Sequence, residues 1–305
     1  DSAVTGNSTV TGTQTVTGVS NLNGGANLNG TQITGLLSGG TTATNAANIG
    51  DVQNAVAGSK THFYSVNNTT TAAGSNYNND GATGIDALSA GVGANASGDN
   101  AVAVGKNATA SDRASIALGE SAVASGFNSF AGGKGANATG FESIAIGTGS
   151  STENTAQLDN KQSIAIGGQA KAMGDQSVAL GANVKASGNS SIAIGGDDLD
   201  KVVGTTANTT FKNLTGQEFV LKDYRATEAG VAAVAVGVQA LAKGDLATAF
   251  GTRSNAEGVA SVALGVGANA TKDNSVALGA GSTTLSDATA VTTATVNGVT
   301  YGGFA

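Results

Sequence analysis

Few side chains in this sequence have the types that catalysis or phosphate binding requires. His62 is the only histidine, and the chain has no cysteine. These counts exclude paired histidine ligands and thiolate zinc sites, and they leave a Ser-His-Asp triad a single candidate base. The glycine-rich string at 132–135 lacks the strand, GxxxxGK[ST] and helix order of a phosphate loop. We expect His62 to pack or to form hydrogen bonds rather than to act in catalysis.

The densest acidic group comprises Asp197, Asp198 and Asp200. Carboxylate oxygens suit Ca²⁺, but this spacing is not that of an EF-hand loop. We therefore expect these side chains to cap backbone amides or to pair with Lys201. Other acids, such as Glu120, are scattered without the pairing that a polysaccharide-cleaving solenoid needs. The sequence thus predicts no enzyme, no catalytic residue, no metal site and no cofactor.

Aromatic and basic side chains, the types that dominate binding hot spots, are concentrated in one segment, 196–232. We predict that partner binding uses six of its residues: Lys201, Phe211, Lys212, Phe219, Tyr224 and Arg225. An alternative stays open, in which Phe211, Phe219 and Tyr224 pack an inserted hairpin against its own domain or a neighbouring subunit.

The composition of the chain excludes several classes of protein. Its 305 residues include 47 glycines and no proline, 40% are hydrophobic, 11% are charged, and the net charge is −7. So many apolar residues with so little charge argue against disorder, and an acidic chain with 14 basic residues argues against a nucleic-acid partner. No run approaches the roughly 18 apolar residues of a membrane span.

A repeat of 14 residues organises most of the chain. Units aligned on the pentad at 115–119, Ser-Ile-Ala-Leu-Gly, are twelve in number and mostly follow each other at 14 residues; their first residues are 87, 101, 115, 129, 143, 163, 177, 191, 233, 247, 261 and 275. The steps from 143 to 163 and from 191 to 233 are longer, so each contains an insertion between two units. Insertions that keep the repeat intact are typical of a solenoid, in which each rung pairs only with its neighbours.

Within a unit, two short segments alternate with two turns. Position 5 is glycine in all twelve units, and position 12 is mostly glycine, which indicates turns with positive φ or very close backbone approach. Positions 2 and 4 mostly carry Val, Ile or Leu, position 3 is alanine in eleven of twelve units, and the second segment mostly has alanine at positions 8 and 10. We expect the large residues to fill the core and the alanine face at position 3 to pack against another copy of the chain.

The segment 1–32 has a shorter period. Val-Thr-Gly or Leu-Asn-Gly recurs every six residues, as in hexapeptide β-helices. Five hexads give one chain fewer than two turns of a three-sided coil, so we expect several chains to wind together. Both patterns therefore predict an obligate oligomer, and neither fixes whether it has two or three subunits.

These elements, in this order, resemble the passenger regions of trimeric autotransporter adhesins with a YadA-like head. The resemblance rests on the lead-in at 62–67 and 76–84, the 14-residue units, the segment 195–224 as a head insert motif, and 44–52 as a neck. It implies an all-β fold, a left-handed parallel β-roll assembled as a homotrimer. The domains expected from it are a hexapeptide segment at 1–32, a neck-like adaptor at 33–60, a lead-in at 61–86, the roll at 87–283 with insertions within 150–162 and 196–232, and the start of a further β domain at 284–305.

The resemblance also implies a function at the bacterial cell surface. Such passengers are held by an outer-membrane anchor, expected outside this segment, and attach bacteria to host cells, extracellular matrix or other bacteria, with roles in virulence and biofilm formation. The expected partners are two further copies of the chain and a host surface or matrix protein, a glycan or a bacterial surface molecule, with membrane contact only through the anchor. The alternative is a spacer that projects a binding tip located elsewhere.

Overall fold

The computed structural model forms two compact units, 1–65 and 66–305, which are described separately. The residues that the structure describes are 5, 7, 9–20, 33–38, 46–58, 66, 67, 69, 71, 72, 74–152, 162–284, 286 and 292–303. His62, most of the hexapeptide segment and the predicted insertion at 153–161 lie outside these ranges. The domain boundaries proposed above therefore stay predictions.

The first unit contains one short helix, α1 (Ile49–Gly58), in the neck-like region. Asn48 and Asp51 cap its start reciprocally: the Asp51 amide donates to Asn48 Oδ1 and the Asn48 amide donates to Asp51 Oδ2, both at 2.9 Å. No residue of the helix is buried. Its apolar residues, among them Ile49 at 78% exposure, are thus uncovered in a single chain.

The second unit is a parallel β-solenoid of two sheets, and each rung contributes one strand to each sheet. The first sheet has 12 strands, formed by positions 2–4 of successive units. These strands are β1 (Leu88–Ala90), β3 (Val102–Val104), β5 (Ile116–Leu118), β7 (Phe130–Gly132), β9 (Ile144–Ile146), β11 (Ile164–Ile166), β13 (Val178–Leu180), β15 (Ile192–Gly196), β17 (Val234–Val238), β19 (Thr248–Phe250), β21 (Val262–Leu264) and β23 (Val276–Leu278). Equivalent positions pair directly, as in Ile164 with Val178 and Ile166 with Leu180, which confirms the predicted register.

The second sheet has 11 strands and is built from positions 9 and 10. Its strands are β2 (Asn95–Ala96), β4 (Thr109–Ala110), β6 (Val123–Ala124), β8 (Asn137–Ala138), β10 (Ser151–Thr152), β12 (Lys171–Ala172), β14 (Lys185–Ala186), β16 (Glu228–Ala229), β18 (Leu241–Ala242), β20 (Asn255–Ala256) and β22 (Asn269–Ala270). Single bridges to Ala82 and Thr283 extend it at the two ends. The insertion begins after β15 and returns at β16, so it interrupts a single rung.

A separate antiparallel hairpin lies near the C-terminal end. It pairs β24 (Thr293–Val296) with β25 (Val299–Gly302). The two residues between them, Asn297 and Gly298, have φ values of 49° and 82°. Two successive positive φ angles with the sequence Asn-Gly are typical of a tight I′ hairpin turn.

The two faces of the first sheet are the reverse of the sequence-based prediction. Ala117, at position 3, is fully buried, whereas Leu118, at position 4, is 37% exposed. The core consists almost wholly of alanines from positions 3, 8 and 10. Because short corners join the two sheets, the interior of a rung admits little that is larger than alanine, and Val, Ile and Leu of positions 2 and 4 point outward. The prediction that the large residues fill the core was wrong.

Glycine at position 5 is required for two reasons at once. Gly119 has φ +135°, and a Cβ placed on it would lie 2.6 Å from the carbonyl oxygen of Gly133 in the next rung. At position 12 only the second reason holds: the backbone of Gly174 is ordinary, but a Cβ there would lie 1.9 Å from the Gly188 oxygen. The glycines at positions 5 and 12 therefore lie where the backbones of successive rungs are in direct contact.

Serine at position 1 has a structural role that the repeat alone did not suggest. Ser115 Oγ donates to the Asp112 carbonyl oxygen at 2.6 Å, and Ser177 and Ser191 bond the Gly174 and Gly188 carbonyls in the same way. These serines are fully buried. In these rungs the buried hydroxyl thus has a partner at the corner, where an unpaired polar group would be costly.

The outer face of the first sheet is a continuous apolar surface in a single chain. Leu180, Leu264 and Leu278 are 42%, 43% and 69% exposed. An apolar surface of this extent marks an interaction face. Among the described residues, no helix has the length and apolar character needed to span a membrane.

Candidate partner-binding site

The insertion between β15 and β16 is built around a helix rather than a hairpin. Helix α2 (Thr206–Thr215) ends at Gly216, whose φ of 72° lets its amide donate to the Lys212 carbonyl. The chain then returns to β16 through residues 217–227, a return segment without helix or strand that turns at 221–222. At the base of the insertion, Thr227 Oγ1 lies 2.9 Å from the Gly196 carbonyl oxygen and 2.7 Å from that of Gly237, so its hydroxyl can donate to either of them. The prediction of an inserted hairpin was wrong, since α2 carries Phe211 on its buried side.

Two of the six predicted binding residues form the core of the insertion. The rings of Phe211 and Phe219 stack with centroids 4.1 Å apart, and both side chains are buried beside Leu199. Asn208 fixes the pair, since its Nδ2 donates to the Phe219 carbonyl at 3.1 Å and its Oδ1 accepts from the Phe219 amide at 2.7 Å. These aromatics thus attach the return segment to the helix, as the packing alternative expected.

Helix α2 lies against the corners of later rungs, where position 7 is glycine. A Cβ on Gly267 would lie 2.6 Å from Thr215 Cγ2, and one on Gly281 would lie 2.2 Å from the Leu214 carbonyl oxygen. In several other rungs the same position carries a side chain, as in Asn107, Asn183 and Arg253, although it is glycine in three further rungs. The absence of side chains at 267 and 281 makes room for the helix.

A buried arginine fastens the insertion to the roll. The Arg253 side chain is 6% exposed, lies 5.0 Å from the Phe219 ring centroid, and pairs with Asp223 at 2.5 Å. Its Nε donates to Gln239 Oε1 at 2.7 Å, and Gln239 Nε2 donates in turn to the carbonyl of Asp197 at 2.7 Å and to that of Asp223. One polar network thus connects Gln239 and Arg253, on two successive rungs, to Asp197 and Asp223 near the two ends of the insertion.

We expect Arg253→Met to release the insertion while the roll stays folded. Removing one partner of a buried ion pair costs about 3–5 kcal/mol, and we expect about 2–4 kcal/mol here because Asp223 keeps Arg225. Hydrogen exchange of residues 197–226 measures the effect. The matched control is Arg225→Met, which removes a half-exposed partner of the same carboxylate and should cost less than about 1 kcal/mol. Equal protection in both variants would contradict this role of Arg253.

The same network makes docking of the insertion sensitive to acid. The pKa of the Asp223 carboxyl is lowered, first by hydrogen bonds from Arg225 and then by the charges of Arg225 and Arg253. A carboxyl whose pKa is lower in the folded than in the unfolded protein stabilises the fold. This contribution is complete above the pKa of the unfolded state, about 3.9, and is lost as the pH falls through the pKa of the folded state. We expect exchange of 197–226, corrected for intrinsic rates, to be unchanged down to about pH 5 and to rise below about pH 4. In Asp223→Asn this acid-induced rise should become smaller, leaving the part that comes from Asp200, whose pKa is also lowered. A rise as large as in the wild type would refute the assignment.

The other four predicted binding residues are exposed. Lys201 and Tyr224 flank one carboxylate, Asp200, which accepts from the Tyr224 hydroxyl and the Lys222 amide, both at 2.7 Å. These hydrogen bonds lower the pKa of Asp200, and the first of them raises the pKa of Tyr224. Lys212 pairs with Glu218 at 2.8 Å. Arg225 is held by Asp223.

The acidic cluster caps donors, as the sequence analysis expected. Asp198 Oδ1 accepts from the Asp200 amide at 2.7 Å, and Asp197 Oδ2 accepts from Asn183 Nδ2 at 2.8 Å. Within the described ranges, no group of His, Cys, Asp and Glu is arranged to hold a metal ion. These carboxylates thus serve the structure of the insertion.

Sequence reasoning missed two kinds of residue here. Val220 and Leu221, on the return segment, are 51% and 63% exposed beside Tyr224 and add apolar area to the candidate surface. Arg253 and Gln239 lie in the repeats, far from the insertion in sequence. The one signal for them is compositional: Arg253 is one of three arginines, and it is the one basic residue at its corner position, position 7, in the twelve units.

Twelve stacked rungs, an alanine core and an insertion on one corner define a repetitive β-solenoid of the kind used for structural and adhesive surfaces. The family model of the YadA head domain repeat matches residues 82–108, 110–136, 138–155, 159–183, 185–197, 229–254 and 256–282, together more than half of the chain. The chain therefore belongs to the YadA head family, the heads of adhesin-type trimeric autotransporter passengers exposed at the surface. No curated protein matches the chain.

Proposed function

We propose that this chain is a non-enzymatic adhesin segment that acts as a homotrimer on the bacterial surface. The observation that carries the proposal is the apolar outer face of the first sheet, present in every rung from β1 to β23. Two further copies packed on this face would remove it from water, at about 25 cal/mol per Å² of apolar area. The second sheet and the insertion would then face outward. An anchor in the outer membrane, outside this segment, would hold the trimer.

The attachment surface in this proposal is the exposed part of the insertion. Lys201, Tyr224 and Arg225 combine aromatic and cationic groups of the types found at binding hot spots. Lys212, paired with Glu218, is a further exposed cation of the insertion, and the buried pair Phe211 and Phe219 supports the surface without contacting a ligand. Three insertions in each trimer, and many trimers on each cell, would raise avidity far above the affinity of one site.

Adhesion of bead-coupled protein to epithelial cells and to immobilised matrix proteins tests this function. We expect the wild type to attach and the triple variant Lys201→Ala, Tyr224→Ala, Arg225→Ala to lose most attachment. The control, Lys134→Ala, removes an exposed ion pair with Glu120 on the roll and should attach normally. Full attachment of the triple variant would refute the insertion as the surface. No attachment of the wild type would favour the spacer alternative.

A further inference from the structure

Beside the insertion, a polar cavity of about 260 Å³ opens on the outer face of the second sheet. Its walls come from the return segment, through Gln217 and Arg225, and from the outward positions of β18, β20 and β22, through Leu241, Asn255 and Asn269. The adjacent residue Ala256 is fully buried, so Asn255 on the same strand points away from the core. The cavity is thus on the sheet opposite the apolar face.

The floor of the cavity is rigid and already assembled. Arg253 and Gln239 line it; the Arg253 side chain is 6% exposed, Gln239 is 2% exposed, and both are held by the hydrogen bonds described above. Asn255 Nδ2 donates to Asn269 Oδ1 at 2.8 Å, which fixes the orientation of both amides. Asn255 Oδ1 is buried and has no hydrogen-bond partner among the described residues. An unpaired buried acceptor at the edge of a polar cavity is a ready contact for a ligand donor.

The lining offers donors and acceptors of both charge signs. Arg225 and the amide of Gln217 donate, whereas Asn255 Oδ1 and the carboxylate of Glu257 accept. The arginines exclude a cation. An anion is disfavoured because Glu257 repels it and Asp223 already pairs with both arginines. Leu241 adds an apolar wall.

We propose that this cavity binds one neutral pyranose unit of a glycan. Vicinal hydroxyls donate and accept at once, which suits the mixed lining, and the C–H face of a sugar ring suits Leu241. The volume lies just below the roughly 300–1,000 Å³ of drug-sized pockets, as a single ring requires. This inference rests on the proposed adhesive function and names a ligand class for it.

Saturation-transfer difference NMR on the intact protein tests the assignment with glucose, galactose, mannose, fucose, N-acetylglucosamine, N-acetylgalactosamine and sialic acid as separate probes. We expect a signal from at least one neutral sugar. Arg225→Ala and Glu257→Gln should each weaken binding about tenfold or more, because each removes a hydrogen bond to a charged group. Glu120→Gln, an exposed carboxylate on the roll, is the matched control and should bind as the wild type does.

Three results would overturn the proposal: no signal from any neutral sugar, a signal from sialic acid alone, or a neutral-sugar signal unchanged in both cavity variants. Cell attachment by the same proteins separates this proposal from the adhesive function. If Arg225→Ala and Glu257→Gln attach normally while the wild type adheres, the sugar site fails and adhesion stands. If the wild type does not adhere to any surface, the adhesive function fails whatever the sugars show.

Discussion

Alanine in place of Gly167 is expected to destabilise the roll by about 2–6 kcal/mol, the sum of a strained backbone and an overpacked contact. Gly167 has φ +134°, and a Cβ there would lie 2.2 Å from the Gly181 carbonyl oxygen in the next rung. Backbone strain of this kind costs about 1–3 kcal/mol, and forcing an atom into a packed site costs about 1–3 kcal/mol more. The Gly181 carbonyl cannot move away, because it belongs to the backbone at the end of β13, which is paired with β11.

The neighbouring residue provides the control. A Cβ on Gly168 would meet no atom within 4 Å, and its backbone has no positive φ. We expect Gly168→Ala to change stability by less than about 0.5 kcal/mol. Thermal unfolding at one protein concentration compares the pair, since unfolding of an oligomer depends on concentration. Similar melting temperatures for the two variants would contradict the close backbone contact between rungs.

Glutamate in place of Leu180 is expected to dissociate the oligomer. Leu180 lies in the middle of the apolar face, paired in register with Ile166 and Ile194 on the adjacent strands. Assembly through this face would bury one carboxylate from each subunit among apolar side chains. The penalty is several kcal/mol per ion, and the carboxylates would also repel each other.

The control for this substitution is Lys171→Glu, which changes charge on an exposed position of β12, in the second sheet. This variant should assemble like the wild type. Size-exclusion chromatography with light scattering measures both proteins at the same concentration. An intact oligomer of Leu180→Glu would show that the apolar face is not the subunit interface.

The repeat made most of the solenoid predictable. Gly119 and its equivalents fixed the corners, and the constant 14-residue spacing fixed the register of both sheets. The prediction of which face of the first sheet is buried was wrong. Hydrophobicity alone favours leucine in a core, whereas the narrow interior of a rung has room only for small side chains such as alanine. That width follows from the corner geometry, which the residue pattern of a single unit does not express.

The insertion was less predictable because its contacts are distant in sequence. Its aromatics and charges marked it as unusual, but α2 has a mixed composition rich in threonine, a weak helix former. The helix is stabilised by packing of Phe211 on Phe219 and fits beside Gly267. Both features depend on residues outside the helix sequence. Arg253 belongs to a repeat unit, and its rarity as an arginine is only a weak sign that it anchors the insertion.

Subunit mass in solution tests the central claim most directly. Sedimentation equilibrium of the purified chain should give three times 29.1 kDa, because the apolar face of the first sheet needs cover in every rung and the heads of this family form trimers. The same mass should persist at the lowest concentration that absorbance can follow. The mass of one chain, or of two, would contradict the trimeric head.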